Sequence, residues 1–168
     1  RLESGRLSPR KDWYDIGDLI HKLQEDLQEE TKLIQFRWYV AQDLPLVRID
    51  FGLIEQALYN ILFNSVQHCP NGTEVEFRIR LEGPDLVIEI SDNGPGFPQE
   101  VIPNLFKKFY KTGASTTGGL GLGLSIAKGF IDAHNGAITA ETIPGKGARF
   151  IIRIPAEFTH IDNLSHFL

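Results

Sequence analysis

The sequence predicts an α+β fold: a two-layer α/β sandwich in which about three helices cover one face of a mixed, mostly antiparallel sheet. Two observations predict it. Apolar residues recur at helical spacing in some segments and alternate with charged residues in others. The strands fall into consecutive pairs, and helices packed on one face of a mostly antiparallel sheet give this class. The 168 residues are enough for one domain with a hydrophobic core.

The elements follow from periodicity and from capping and turn residues. Apolar positions at helical spacing predict a first helix from Ile16 to about Ile34, with Asp15 as its N-cap. A second helix begins after its own capping residue, Asp50, and a third is stopped by Asn135-Gly136. The remaining predicted bounds are helices over residues 51–67 and 120–134, and strands over residues 36–40, 46–49, 75–81, 86–90, 137–142 and 148–154.

Three stretches lie outside these elements. Residues 1–12 are polar and basic, which indicates the end of an upstream helix followed by a linker. Residues 93–119 are rich in glycine, proline, serine and threonine, and so long a loop in a compact domain favours a functional lid. Residues 156–168 read as a tail. The predicted domain therefore covers residues 13–155.

Composition excludes several classes of function. The formal net charge of −5 argues against a nucleic-acid partner. A single cysteine, Cys69, excludes an internal disulfide and provides no metal cluster. No apolar run approaches the length of a membrane span, so this chain itself is not expected to insert into a membrane. The chain starts at Arg1 and lacks methionine, so we expect a piece of a longer protein.

The second helix carries a polar stripe. Gln56, Asn60, Asn64 and His68 recur every four residues and therefore share one face. Asparagine is unfavourable inside helices, and an amide oxygen is a suitable neutral ligand for Mg²⁺. Taken alone, a solvated polar face explains the stripe better. The stripe expected to face the sheet consists of Leu58, Ile61, Leu62 and Ser65.

Two glycine-rich segments follow. Asp92 ends a predicted strand, where its carboxylate can accept a hydrogen bond from the exocyclic amine of adenine, and Gly94 and Gly96 permit close approach of a flat base. In isolation, a simple turn explains this segment better. The second segment, residues 119–123, precedes the third helix, where unpaired N–H groups form an anion site. Its spacing fits neither a Walker loop nor the dinucleotide-binding fingerprint.

Residues 106–111 lie inside the predicted lid. Phe106 and Phe109 can fold the lid onto the body while Lys107 and Lys108 face phosphates, and a short amphipathic turn that packs on the core is an equal alternative. Lys111 is a further candidate for contact with phosphate. The segment Gly145-Lys146-Gly147 by itself indicates a hairpin turn.

In this order and at this spacing, the motifs resemble those of the catalytic ATP-binding domain of bacterial sensor histidine kinases. That domain belongs to the Bergerat-fold superfamily, which also includes type II topoisomerases, mismatch-repair ATPases and ATP-dependent heat-shock chaperones. The likeness runs from about Trp13 to Pro155. The matching segments are residues 60–65 (asparagine box), 92–96 (first glycine box), 106–109 (phenylalanine box), 119–123 (second glycine box) and 145–147 (last glycine box).

The resemblance implies ATP and Mg²⁺ as ligands, with Asn64 as the Mg²⁺ ligand and Asp92 as the residue that recognises adenine. The implied nucleotide-binding residues are Asn60, Asn64, Gln67, His68, Asp92, Gly94, Gly96, Phe109, Lys111, Gly119, Leu120, Gly121, Leu122 and Gly123. Three positions depart from the family pattern. Gln67 replaces a common lysine, His68 a common tyrosine or phenylalanine, and Ala148 a frequent threonine, so one phosphate contact and one hydroxyl hydrogen bond are in question.

Asn60 separates the branches of the superfamily. The ATPase branch is expected to carry glutamate there as a general base, a task that an amide cannot perform. The resemblance therefore implies phosphoryl transfer to a histidine of a separate dimerisation and phosphoacceptor domain, and from there to a response regulator. None of the five histidines lies in a phosphoacceptor motif, so no catalytic residue is expected in this chain, which would bind ATP without phosphorylating itself.

Two other functions stay open: an ATPase that drives a conformational cycle, and a degenerate nucleotide-binding module without catalysis. Gln67 and Ala148 keep the second one open. The segments Asp12-Trp13 and 127–136 are most similar to potassium-responsive kinases of the KdpD type. The resemblance implies a cytoplasmic domain of an inner-membrane sensor kinase.

Overall fold

A five-stranded sheet forms the centre of the fold. We analysed a computed structural model, which describes residues 2–3, 6–110 and 123–160, with side chains from residue 7 onwards. The helices are α1 (Ile16–Asp26), α2 (Phe51–His68) and α3 (Gly123–Ala133). The strands are β1 (Leu2–Glu3), β2 (Arg6–Leu7), β3 (Asp12–Tyr14), β4 (Gln35–Val40), β5 (Leu46–Ile49), β6 (Glu74–Glu82), β7 (Asp85–Asp92), β8 (Ala137–Ile143), β9 (Gly147–Pro155) and β10 (Phe158–Thr159).

The central sheet has the order β4-β6-β7-β9-β8, with β4 parallel to β6 and the other pairs antiparallel. This confirms the predicted two-layer fold with a mixed, mostly antiparallel sheet. One face of the sheet forms the core with the helices, because alternate residues of the inner strands, such as Phe77, Ile88 and Phe150, are at most 1% exposed. The four residues predicted to face the sheet from α2 are all buried as well: Leu58, Ile61, Leu62 and Ser65.

The opposite face of the sheet carries ion pairs. Arg80 of β6 contacts Glu89 of β7 and Glu82, and Arg153 of β9 lies 3.1 Å from the Glu82 carboxylate. Val87 of β7 belongs to this face, because its register partners are Arg80 and Arg153. It is nevertheless fully buried. The aliphatic stems of these arginines account for its burial. A concavity of about 420 Å³ also lies on this face.

The helix N-caps are as predicted. The Asp15 carboxylate accepts the N–H of Gly17 at 2.7 Å, and the Asp50 carboxylate accepts the N–H of Leu53 at 3.1 Å. The end predicted for the first helix is wrong, because α1 ends at Asp26 and a short 3₁₀ turn at 30–32 follows. After Leu27, the next turn of a continued helix would place Glu30 and Thr31 on the face toward the core. These polar residues would not hold such a turn on the core.

A second, three-stranded sheet was not predicted. In it β5 lies between β3 and β10, with antiparallel pairing on both sides. The predicted strands at 36–40 and 46–49 therefore belong to different sheets. β1 and β2 pair antiparallel, so the helix end expected within residues 1–12 is wrong for the residues that the structure describes there. The division at residues 12 and 155 stays a prediction.

None of the helices within residues 6–110 and 123–160 is long and apolar enough to cross a membrane. The predicted start of the third helix, residues 120–122, lies outside the described residues, and α3 is described from Gly123.

Candidate functional site

The predicted polar stripe of α2 faces the beginning of α3. Gln56 donates a hydrogen bond through Nε2 to Oδ1 of Asn60 at 2.9 Å. Asn60 in turn donates through Nδ2 to the carbonyl oxygen of Gly123 at 3.2 Å. A Cβ atom on Gly123 would lie 4.0 Å from Cβ of Asn60, which is ordinary van der Waals contact. The stripe is therefore a contact surface between the two helices at this end, and not only a solvated face.

Asn64 lies one turn further along α2 and is half-buried. Its side chain makes no hydrogen bond to any residue that the structure describes. Its role as a Mg²⁺ ligand stays a prediction. Gln67, one of the three positions that depart from the expected pattern, is exposed.

Asp92 ends β7 and is 8% exposed. Its Oδ1 accepts the backbone N–H of Gly94 at 2.9 Å and that of Ala148 at 3.3 Å. Gly147 reaches the same place from β9, since a Cβ atom there would lie 2.3 Å from the Asp92 carbonyl oxygen. The position of the carboxylate is thus fixed by backbone groups from two segments, the first and last glycine boxes.

Cys69 lies beneath this loop and was not among the predicted site residues. Its side chain is buried, and a Cβ atom on Gly94 would lie 2.6 Å from the Cys69 sulfur. Burial, together with the nearby Asp92 carboxylate, raises the pKa of the thiol to about 12. The group is therefore a neutral thiol that fills space under the first glycine box, and Gly94 is required for this close packing.

His68 packs on the loop that follows Asp92. Its ring stacks on Phe97 with centroids 4.4 Å apart, and its Nε2 lies 3.3 Å from the carbonyl oxygen of Gly96. One ring face of His68 is thus occupied by the protein itself. Contact of the other ring face with a nucleotide stays a prediction.

Thr142 of β8 fixes the same loop and was missed by the sequence analysis. Its hydroxyl accepts the N–H of Phe97 at 2.9 Å and donates to the carbonyl oxygen of Phe97 at 2.7 Å. The methyl group of Thr142 leaves no room for a side chain at Gly96, where a Cβ atom would lie 2.8 Å from it. A threonine among alternating strand residues gives no sequence signal for this role.

The two phenylalanines of residues 106–109 differ in environment. Phe106 packs edge-on against Phe150 with ring centroids 6.2 Å apart, so the chain is anchored to the core there. Phe109 is 66% exposed and has a φ of 62°, and Lys107 and Lys108 are exposed beside it. Packing on the core therefore describes Phe106 and not Phe109. Lys111, Gly119, Leu120, Gly121 and Leu122 lie outside the described residues.

His134 follows the last residue of α3 and has a structural place there. It is 1% exposed, its Nδ1 bonds to the carbonyl oxygen of Phe130 at 2.9 Å, and its Nε2 faces the N–H of Asp50 at 3.0 Å. The first contact requires a hydrogen on Nδ1 and the second requires a lone pair on Nε2, so the ring is neutral. Burial lowers the pKa of His134, which agrees with this state.

These features match a known family over most of the chain. The model of the histidine kinase-, DNA gyrase B-, and HSP90-like ATPases matches residues 50–157, the segment from the cap of α2 to the end of β9 and beyond. This chain belongs to that ATPase family. The matched segment of this chain contains Asn60, Asn64, Asp92 and the glycine boxes.

Relatives within the ATPase family include sensor kinases. The sensor protein KdpD of Escherichia coli is 31% identical over 162 residues, which cover 94% of this chain and 18% of KdpD. The signal transduction histidine-protein kinase AfsQ2 of Streptomyces coelicolor is 38% identical over 165 residues, which cover 94% of this chain and 29% of AfsQ2. The chain thus spans less than a third of either relative. Because AfsQ2 is the more identical of the two, the KdpD-type assignment stays a prediction.

The fold is also that of solved histidine kinases. Full-length ShkA in complex with AMPPNP superposes with a TM-score of 0.81 and 25% identity, covering 92% of this chain and 33% of ShkA. The bound AMPPNP, an ATP analogue, belongs to ShkA.

Proposed function

We propose that this chain is the ATP-binding catalytic domain of a two-component sensor histidine kinase. It donates the γ-phosphate of ATP to a histidine on the dimerisation and phosphoacceptor domain of the same protein, from which the phosphate passes to a response regulator. We expect the whole protein to lie in the inner membrane with this domain in the cytoplasm. Membership of the ATPase family and the sensor kinases among its relatives support this proposal.

The observation that carries the proposal is the state of Asn60. A family member that hydrolyses ATP is expected to use a carboxylate at this position to take a proton from water. Here both polar ends of the Asn60 side chain are engaged, the oxygen by Gln56 and the nitrogen by Gly123. An amide held in this way cannot take up a proton, which favours transfer to a protein acceptor over hydrolysis.

The residues present fit ATP with Mg²⁺. Asn64 offers a neutral amide oxygen that no described residue occupies. Within the described part of the chain, no group of three or more His, Cys, Asp or Glu side chains could form a metal cage. A single amide ligand suits Mg²⁺, which retains water and binds through substrate phosphates. When bound, the ion would neutralise phosphate charge, which is a main requirement of phosphoryl transfer.

The other residues of the chain position the nucleotide. The Asp92 carboxylate, held by the N–H groups of Gly94 and Ala148, would accept a hydrogen bond from the exocyclic amine of adenine. The backbone amides of Gly121 and Gly123 would hold phosphates at the start of α3. Catalysis by this chain would therefore rest on placement and charge compensation rather than on a proton-transferring side chain.

Calorimetric titration with a non-hydrolysable ATP analogue and Mg²⁺ tests the site. We expect wild-type chain to bind, Asn64→Ala to lose most of the Mg²⁺-dependent affinity, and Asp92→Asn to bind at least about tenfold more weakly because an amide cannot reproduce the carboxylate. Asp92→Asn is preferable to alanine because its oxygen can still accept the two backbone N–H groups. If both variants bind like wild type, the site is wrongly placed.

Product analysis separates kinase from ATPase. With ATP and Mg²⁺, the chain alone should neither release phosphate steadily nor acquire phosphohistidine, whereas a matching phosphoacceptor domain added in trans should become labelled. Steady phosphate release by the isolated chain would instead support the ATPase function. Binding without transfer to any acceptor domain would support a non-catalytic module.

A further inference from the structure

Two side-chain amides in series connect the surface of α2 to the start of α3. Gln56 and Asn60 are one helical turn apart, so α2 places their side chains side by side. The first bond, between Nε2 of Gln56 and Oδ1 of Asn60, is 2.9 Å long, and the second, between Nδ2 of Asn60 and the carbonyl oxygen of Gly123, is 3.2 Å long. The chain of bonds ends on the first described residue of α3.

The direction of both bonds follows from Gly123. A carbonyl oxygen can only accept, so the nitrogen of the Asn60 amide must face it. The Asn60 oxygen then points to residue 56, which must supply a donor. Gln56 meets this requirement with its NH₂ group and so stabilises one of the two possible orientations of the Asn60 amide. An acceptor at residue 56 would favour the reverse orientation, in which the oxygens of Asn60 and Gly123 repel each other.

Gln56 is not needed for the core. Its side chain is exposed and lines a cleft of about 290 Å³ together with Asp26, Glu55 and Tyr59. Asn60, by contrast, is half-buried between the two helices. The exposed amide therefore contributes little to packing, and its effect on the molecule passes through Asn60.

We propose that Gln56 is a positioning residue: it holds the Asn60 amide in the orientation that ties α2 to the start of α3. This proposal deepens the proposed function and rests on it, because α3 begins directly after the glycine-rich segment expected to hold the phosphates. Gln56 touches no reacting atom. It sets the relative position of the asparagine box and Gly123, the first described residue of α3.

Hydrogen exchange without nucleotide tests the positioning itself. The N–H of Ala127 bonds to the Gly123 carbonyl in a regular helix and reports on the first turn of α3. In the 168-residue chain, Gln56→Leu and Gln56→Glu should each speed its exchange about two- to tenfold, since each removes one net hydrogen bond. Adding Gln56→Leu to Asn60→Ala should change nothing further, because the intermediary is already lost.

Affinity for the ATP analogue with Mg²⁺ tests the consequence. Gln56→Glu is nearly isosteric and should weaken binding about two- to tenfold. Gln24→Glu, the same substitution at an exposed position of α1, is the matched control and should bind like wild type. A purely structural role of Gln56 would lower the thermal midpoint of the nucleotide-free chain but leave the affinity, measured well below that midpoint, at the wild-type value.

The possible failures are distinct. Additive effects of Gln56→Leu and Asn60→Ala on the exchange of Ala127, or wild-type exchange in both Gln56 variants, would overturn the positioning role. If wild-type chain does not bind the analogue, the proposed function fails, and the exchange measurement still decides whether Gln56 acts through Asn60.

Discussion

The Nε2 atom of His134 accepts the backbone N–H of Asp50 at 3.0 Å. Asp50 is the N-cap of α2, and His134 follows the last residue of α3, so one imidazole joins the end of one helix to the beginning of the other. Because Nδ1 bonds to the carbonyl of Phe130, the tautomer is fixed and only a neutral ring satisfies both contacts.

This contact predicts loss of stability at mildly acidic pH. Burial, with the positive charge of Lys11 as a smaller contribution, lowers the pKa of His134 below its usual value of 6.5. Between those two pKa values the unfolded chain binds a proton that the folded chain does not, so the free energy of unfolding falls as the pH falls below about 6.5. Each unit of lowering corresponds to about 1.4 kcal/mol.

Urea unfolding at several pH values between 7.5 and 5.5 checks this. His134→Gln can retain both hydrogen bonds but cannot titrate, so its stability should fall less over this range than that of wild type. His21→Gln, at an exposed position of α1, is the control for the replacement of a histidine by glutamine. Equal slopes in wild type and His134→Gln would contradict the prediction.

The Cys69 thiol should be almost unreactive in the folded chain. With a pKa of about 12, its thiolate fraction at pH 8 is on the order of one in ten thousand, and the side chain is also buried. Reaction with a thiol reagent should be at least about a hundredfold slower in the native chain than in urea. Asp92→Asn removes the neighbouring charge and should accelerate the native reaction. A native rate equal to the unfolded rate would refute the assignment.

The raised pKa of Cys69 also predicts that the folded chain loses stability at alkaline pH. The folded pKa lies above the unfolded value of about 9, so the folded chain retains a proton that the unfolded chain releases. The stability contributed by this group is complete below about pH 9 and falls as the pH rises toward 12. Cys69→Ala should show a weaker decrease over this range in denaturant unfolding.

Gly147→Ala should be strongly destabilising, and Gly145→Ala only mildly so. Both glycines have positive φ, 97° and 75°, so both variants carry conformational strain of about 1 kcal/mol. Only at Gly147 would a Cβ atom meet backbone, at 2.3 Å from the Asp92 carbonyl oxygen, whereas Gly145 is open. We expect Gly147→Ala to cost at least about 2 kcal/mol more by denaturant unfolding. Equal losses would show that no close contact exists.

Thr142→Val should loosen the loop after Asp92. Valine keeps the shape but removes the hydroxyl that bonds to both polar backbone groups of Phe97. The expected loss is about 1–3 kcal/mol, because the N–H and carbonyl are left without their partner. Thr139→Val, at an exposed position of the same strand, should be close to neutral. Comparable losses in the two variants would mean that the hydroxyl contributes nothing specific.

The fold was predictable where one local signal determined each element. Asp50 and the spacing of Ile61 and Leu62 place α2 and its buried stripe without tertiary information. The end of α1 was not predictable by extending apolar spacing, because Ile34 is buried on a separate turn rather than on the helix. The pairing of β5 with β3 and β10 was missed because strands of two or three residues carry no periodic pattern.

The site was predictable as a set of residue types but not as a set of contacts. Asn60 and Asp92 stand out in the sequence because of their spacing to other motifs. The link from Gln56 through Asn60 to Gly123 joins residues 63 positions apart in its last step, and the hydroxyl of Thr142 reaches a loop 45 positions away. Only the folded chain brings these groups together.

The pairing of β3 with β5 also has a mechanical consequence. Asp12 lies opposite Ile49, and the N–H of Arg10 bonds to the Asp50 carboxylate at 2.7 Å. The residues just before β3 therefore lie against the residues just before α2. A force that draws residues 8–10 away from α2 would load the bond between Arg10 and Asp50 before the β3–β5 pairs. Sequential peeling needs less force than simultaneous shearing of the same bonds. In this direction the junction is compliant, although each of its hydrogen bonds has ordinary geometry.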